Sequence, residues 1–115
     1  MIQCKRVYDA TSEDDGYRVL VDRLWPRGVK KTDLHFDEWN KTLAPSTELR
    51  KAFHGEVLDF TSFSEAYRKE LDAQKTAGEQ LAARGKKGTV TLLYAAKNGA
   101  QNHAIVLAEW LRSLA

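Results

Sequence analysis

Apolar residues fall along this chain in two rhythms. Ile2 to Tyr8 alternates, with Ile2 and Cys4 on one side, and reads as a strand. Val19, Leu20 and Val21 form a continuous apolar run inside Tyr17–Leu24, and Val90, Leu92, Leu93 and Tyr94 leave little polar surface inside Thr89–Ala96. Short continuous runs of this kind suit strands covered on both faces, as in a parallel sheet. Elsewhere the apolar spacing is three and four, which is helical. Ser46 is placed to cap a short helix carrying Leu49 and Phe53, with Gly55 at its end. Ser62 with Glu65 has the capping-box pattern. It is expected to open a long helix through Phe63, Tyr67, Leu71 and Leu81, whose stripe weakens at Gln74 and Gly78, where the helix should bend or divide. Gly85 to Gly88 reads as a basic turn. Asn102 is positioned to cap a last helix with Ala104, Leu107, Ala108, Leu111 and Leu114 on its apolar face. Leu93, Leu107 and Leu111 are expected to meet between the last strand and that helix.

The order strand, strand, helices, strand, helix predicts an α/β fold. It is a small single-domain layered structure over residues 1–115, with a short, mainly parallel sheet of 3–5 strands flanked by helices. The Tyr17 and Thr89 strands should be adjacent or nearly so and parallel, and a further short strand is expected near Trp39–Leu43.

A chain of 115 residues buries enough surface to fold without a disulfide or a metal. Cys4 is the only cysteine, so it reads as a small core residue in a reducing compartment. No apolar leader and no bilayer-length segment is visible, which predicts a cytoplasmic protein without a membrane partner. The three histidines have no metal-ligand spacing and no phosphate-loop or dinucleotide fingerprint occurs, so no metal and no cofactor is implied. The net charge of +2 is too small to argue for nucleic acid. Its distribution changes that picture. Between Tyr17 and Lys31 stand Arg18, Arg23, Arg27, Lys30 and Lys31 against Asp22 alone, a cationic patch with a tryptophan in it.

The candidate chemistry lies in the two loops that follow the best strands. In the first, Pro26 fixes the backbone, Gly28 permits conformations closed to other residues, and Asp22, Arg23, Trp25 and Arg27 crowd within six residues. The second runs from Lys97 to His103. If both strands are parallel, both loops emerge at the carboxyl edge of the sheet, where open α/β sheets bind ligands. Arg23, Arg27 and Lys97 would then hold an anion, with Asn102 beside them at a helix N-terminus. Trp25 or Trp39 would stack on a flat ring. His103 or Asp22 would carry a proton if there is a reaction. The local alternatives are a salt-bridged loop around Asp22, a purely capping Asn102 and a structural His103.

Arg18–Gly28 (RVLVDRLWPRG), Leu43–Ser46 (LAPS), and Leu92–Lys97 (LLYAAK) with Asn102–Ala104 (NHA) together resemble the YeaO-like family, domain of unknown function 488. The resemblance runs from about Arg6 to the end of the chain. It implies a small cytoplasmic bacterial α/β domain and no particular reaction. Three functional readings follow. The first is a binder of an anionic, phosphate-bearing or nucleotide-like small molecule, with or without turnover. The second is a non-catalytic regulatory or nucleic-acid-binding module that uses the cationic patch. The third is a dimeric interaction protein using Phe36 and Trp39. The sequence does not fix the oligomeric state.

Overall fold

The computed structural model describes residues 1–114. Four strands form one sheet, β1 (Ile2–Arg6), β2 (Tyr17–Leu20), β3 (Glu38–Trp39) and β4 (Val90–Tyr94), in the order β1-β4-β2-β3. All neighbouring strands are parallel, as the continuous apolar runs require. β4 is buried throughout because it has a partner on each side. β2 stops at Leu20 rather than Leu24, and the short strand comes at Glu38–Trp39, at the start of the expected region.

Four α-helices are described, α1 (Thr47–His54), α2 (Phe60–Asp72), α3 (Lys75–Lys87) and α4 (His103–Ser113), and all but α3 begin at a side-chain cap. Ser46 caps α1 by accepting the Leu49 N–H at 3.2 Å. Asn102 caps α4 by accepting the Ile105 N–H at 3.1 Å. The expected long helix is divided after Asp72, in the region where the apolar stripe fails. Its cap is Asp59, not Ser62. The Asp59 carboxylate accepts the Ser62 N–H at 2.7 Å, which makes Ser62 the third helical residue. Gly85 is buried inside α3 and is not part of a turn. Gly78 sits on the buried stripe because Trp110 crosses it; a Cβ there would stand 2.3 Å from the indole.

All four helices contribute to one large core against Val19, Val21, Val90, Leu92 and Tyr94. The opposite face of the sheet carries Val7, Leu20 and Leu93. No helix covers it. It is covered by the loop from β2 to β3, through Trp25, Val29, Leu34 and Phe36. Leu93 therefore does not meet Leu107 and Leu111. Side chains alternate along a strand, so Leu92 faces α4 and Leu93 faces away. Among the described residues no helix is long and apolar enough to cross a membrane.

One buried ion network closes the edge near the amino ends of β2 and β4. Arg18 is 2% exposed and pairs with Asp15, also 2% exposed, while Lys5 reaches Asp15 at 3.1 Å. Burial alone would push the Asp15 carboxyl up, but the Ser12 backbone N–H, Lys5 and Arg18 outweigh it and hold the group below its ordinary value. A carboxyl whose folded pKa is depressed stabilises the fold fully above its unfolded value, about 3.9, and loses that contribution as pH falls through the folded value. Thermal melts should therefore weaken progressively below about pH 4, and Asp15→Asn, less stable at neutral pH, should show a shallower acid decline. An unchanged acid limb in that variant would remove Asp15 from the account.

Cys4 packs beside the main core with its thiol 3.4 Å from the Ala104 carbonyl oxygen. Burial pushes its pKa up to about 11, against a smaller opposing effect of Arg112. It is a poor nucleophile at neutral pH.

Candidate functional site

Because β2 and β4 are parallel neighbours, the loops after them leave the same edge of the sheet. A cleft of about 590 Å³ opens there. Its wall includes Asp22, Arg23, Trp25 and Arg27 from the first loop, Lys97 and Asn98 from the second, and His103 at the start of α4. The structure thus brings together six of the seven residues expected from sequence. The seventh, Asn102, does not line the cleft. It is 1% exposed, donates to the Asn98 carbonyl oxygen at 2.9 Å and caps α4, so its polar atoms are used by the fold.

Asp22 is the knot of the site. Its Oδ2 accepts the Ala95 N–H at 3.0 Å, and its backbone oxygen accepts the Trp39 indole N–H at 2.7 Å. His103 Nε2 stands 2.9 Å from Asp22 Oδ1 and 3.2 Å from the Val21 carbonyl oxygen. Only the line to Val21 has hydrogen-bond geometry. The contact with Oδ1 is one of proximity, and Oδ1 is left buried without a directed bond. Asp22 thus pairs with His103 rather than with a neighbouring arginine, and it ties the ends of β2 and β4 to α4.

The loop after β2 is held from within. The Trp25 indole N–H donates to the Val29 carbonyl oxygen at 2.6 Å, and its ring meets Trp39 edge-on at 5.5 Å and Phe36 at 5.7 Å. Phe36 and Trp39 are half-buried in this second core rather than gathered in an exposed apolar patch. Gly28 closes the loop at φ 75° with open space around it. The Tyr8 hydroxyl donates to the Arg27 carbonyl oxygen at 3.1 Å, and Arg23 Nε donates to the Pro45 carbonyl oxygen at 2.9 Å. The last bond fastens the loop to the start of α1.

That fastening brings in residues the sequence reading did not include. Arg50, Phe53 and His54 of α1 line the cleft, together with Phe63 of α2, Pro45 and Tyr8. Arg50, Phe53 and His54 fall at i, i+3 and i+4 and so share one helix face. That spacing was visible in the sequence, but Phe53 also fits a core stripe, and nothing local says that this face meets the arginine loop.

The charge balance of the cleft is one-sided. Arg23, Arg27, Arg50 and Lys97 line it, with His54 and His103, against the single carboxylate of Asp22. Among the described residues the ion pairs are Lys5–Asp15, Arg18–Asp15 and Arg68–Glu109, apart from the close approach of His103 to Asp22. None of the four cleft cations from arginine and lysine is neutralised. Arg50 Nε is in addition buried with no hydrogen-bond partner. A buried donor left unpaired costs free energy that an incoming acceptor would recover. Among the described residues, no group of three or more His, Cys, Asp or Glu side chains is arranged to hold a metal ion.

Comparison with known proteins agrees with the motif reading. A family model described as "Inactive DUF488-N3 subclade" matches residues 1–115. The chain is 65% identical over 113 residues to "Uncharacterized protein YeaO" of Escherichia coli, covering 98% of each. It is 39% identical over 110 residues to "Uncharacterized protein Rv3073c" of Mycobacterium tuberculosis, covering 96% of this chain and 92% of the relative. No solved structure matches it.

Proposed function

This chain belongs to the YeaO-like DUF488 family, and from that premise and its cleft we propose that it binds a small anionic, phosphate-bearing ligand at the carboxyl edge of its sheet. The observation that carries this reading is the set of unneutralised cations, Arg23, Arg27, Arg50 and Lys97, around one open cleft, with Arg50 Nε buried and unpaired. Arginine offers several donors in a planar fork, which suits phosphate. The volume is of the size that holds a small molecule.

The family description, an inactive subclade, supports binding without turnover. On that reading Asp22 and His103 order the loops instead of moving a proton, which suits the bonds Asp22 already makes. A cytoplasmic location fits a phosphorylated ligand.

Calorimetric titration with inorganic pyrophosphate tests the proposal. Arg50→Ala should weaken binding by about 1.5–3 kcal/mol, roughly 10- to 150-fold. The ligand-free variant should melt no lower than the parent, because the truncation removes an unsatisfied buried donor and no bond. Unchanged affinity in the variant, or no binding to the parent protein, would refute the assignment.

A further inference from the structure

The cleft has a second half that the cations do not explain. Its exposed apolar surface comes from Leu24 and the half-buried Phe53, with the buried Phe63, Pro26 and Pro45 completing the lining. Leu24 is 58% exposed at the rim, an apolar side chain held in water by a loop that is otherwise well packed. Phe53 lies against Phe63 with ring centroids 4.3 Å apart and planes 20° apart. Tyr67 lies tilted 5.6 Å from Phe63, and His103 meets Tyr67 edge-on at 6.5 Å. Phe53 is half-buried in this aromatic cluster, with Phe60 at 6.0 Å and His54 at 6.2 Å beside it.

We infer that Phe53 is the platform of a ring subsite and that the ligand joins a flat aromatic ring to its phosphate, as a mononucleotide does. The inference rests on the anion-binding reading above and extends it. Trp25, the expected stacking residue, is a poorer platform. Trp39 and Phe36 flank its ring as Phe60 and His54 flank that of Phe53, but the Trp25 N–H is used by Val29 and Lys31 already stands 5.8 Å from its ring centre. Phe53 shares its helix face with Arg50 and His54, so one helix presents an aromatic surface beside an unpaired guanidinium. An aromatic ring that lies on Phe53 lengthens an existing stack and shields the apolar surface around it. Its phosphate then has Arg50 within the same face and the loop cations across the cleft. Stacking of this kind tolerates any base, since every base has a π face.

Calorimetry on the whole protein with pyrophosphate, the four ribonucleoside 5′-monophosphates, the corresponding diphosphates and a single-stranded oligonucleotide tests the subsite. At least one mononucleotide should bind about 10-fold or more tightly than pyrophosphate. Phe53→Leu should erase that margin and leave pyrophosphate binding as it was, while Phe53→Tyr should keep it. Circular dichroism establishes that each variant is folded, and the tyrosine variant retains a platform if the leucine variant does not fold. Equal affinity for pyrophosphate and every nucleotide would overturn the ring subsite and leave the anion site standing. Absence of binding by every probe would overturn both. Oligonucleotide binding without mononucleotide binding would also overturn the ring subsite, because a strand would then be the partner.

Discussion

Arg18→Leu should cost about 3–5 kcal/mol of folding stability, although Arg18 lies outside the cleft. Arg18 is the largest side chain that is fully buried, and it sits on β2 between the sheet and the loops that close its edge. Its Nε donates to the His35 carbonyl oxygen at 2.7 Å, and its Nη1 pairs with Asp15. The leucine variant leaves the Asp15 carboxylate buried with Lys5 as its one remaining cation, and leaves the His35 carbonyl without that donor. Removing one member of a buried pair is costly because the other charge stays behind uncompensated. Replacing Asp15 as well should return part of the loss, since no buried charge is then stranded. Chemical denaturation of the two single variants and the double variant measures this. A loss below about 1 kcal/mol for Arg18→Leu would show that the network contributes nothing net.

The sheet was legible in the sequence because its strands are buried on both faces. Such strands announce themselves as dense apolar runs, and Val19–Val21 and Val90–Tyr94, with Thr91 as its one polar residue, did so. The caps at Ser46 and Asn102 were legible for a local reason, a short polar side chain placed before an apolar stripe. Leu93 was misplaced because a continuous run hides which side each residue faces. Only the pairing of β4 with β1 and β2 sends Leu92 to the helices and Leu93 to the loop layer. Asp59 was missed as a cap because Ser62 and Glu65 offered a capping-box pattern three residues further on. Arg18 read as one more member of a surface patch. Its burial depends on Asp15 being folded back beside it, which sequence spacing alone does not reveal.

The cleft was legible in halves. The loops after β2 and β4 converge once those strands are parallel, and that followed from the apolar runs. The contribution of α1 was not legible, because it depends on tertiary bonds. Arg23 holds Pro45, and Glu70 of α2 holds both the N–H and the hydroxyl of Ser46, at 2.8 and 2.5 Å. These bonds set the start of α1 beside the arginine loop and turn Arg50 and Phe53 into the cleft wall. Asn102 fits two readings in the sequence, helix cap and ligand contact, and the structure shows the cap, with its side chain used by the helix it begins.

Phe63→Ala should destabilise the fold by about 3–5 kcal/mol, the range for a large buried aromatic cut to a methyl. Phe63 is 1% exposed and joins the two parts of the molecule that matter here. One side belongs to the core with Tyr67, and the other supports Phe53 at 4.3 Å. Truncation leaves a void beside Phe53, Phe60 and Tyr67, and its collapse shifts α1, which carries Arg50 as well as Phe53. The same change should therefore loosen the cleft as well as the core. Phe53→Leu makes the contrast. It replaces a half-buried ring by another apolar side chain and should cost less than about 1.5 kcal/mol. Denaturant melts of the two variants, run with pyrophosphate present and absent, separate the roles. Phe63→Ala should lower stability in both conditions and also reduce the increment that pyrophosphate provides, because that increment follows the affinity of the folded state. Phe53→Leu should keep the pyrophosphate increment. If Phe63→Ala melted within about 1 kcal/mol of the parent, Phe63 would not be the joint between core and cleft.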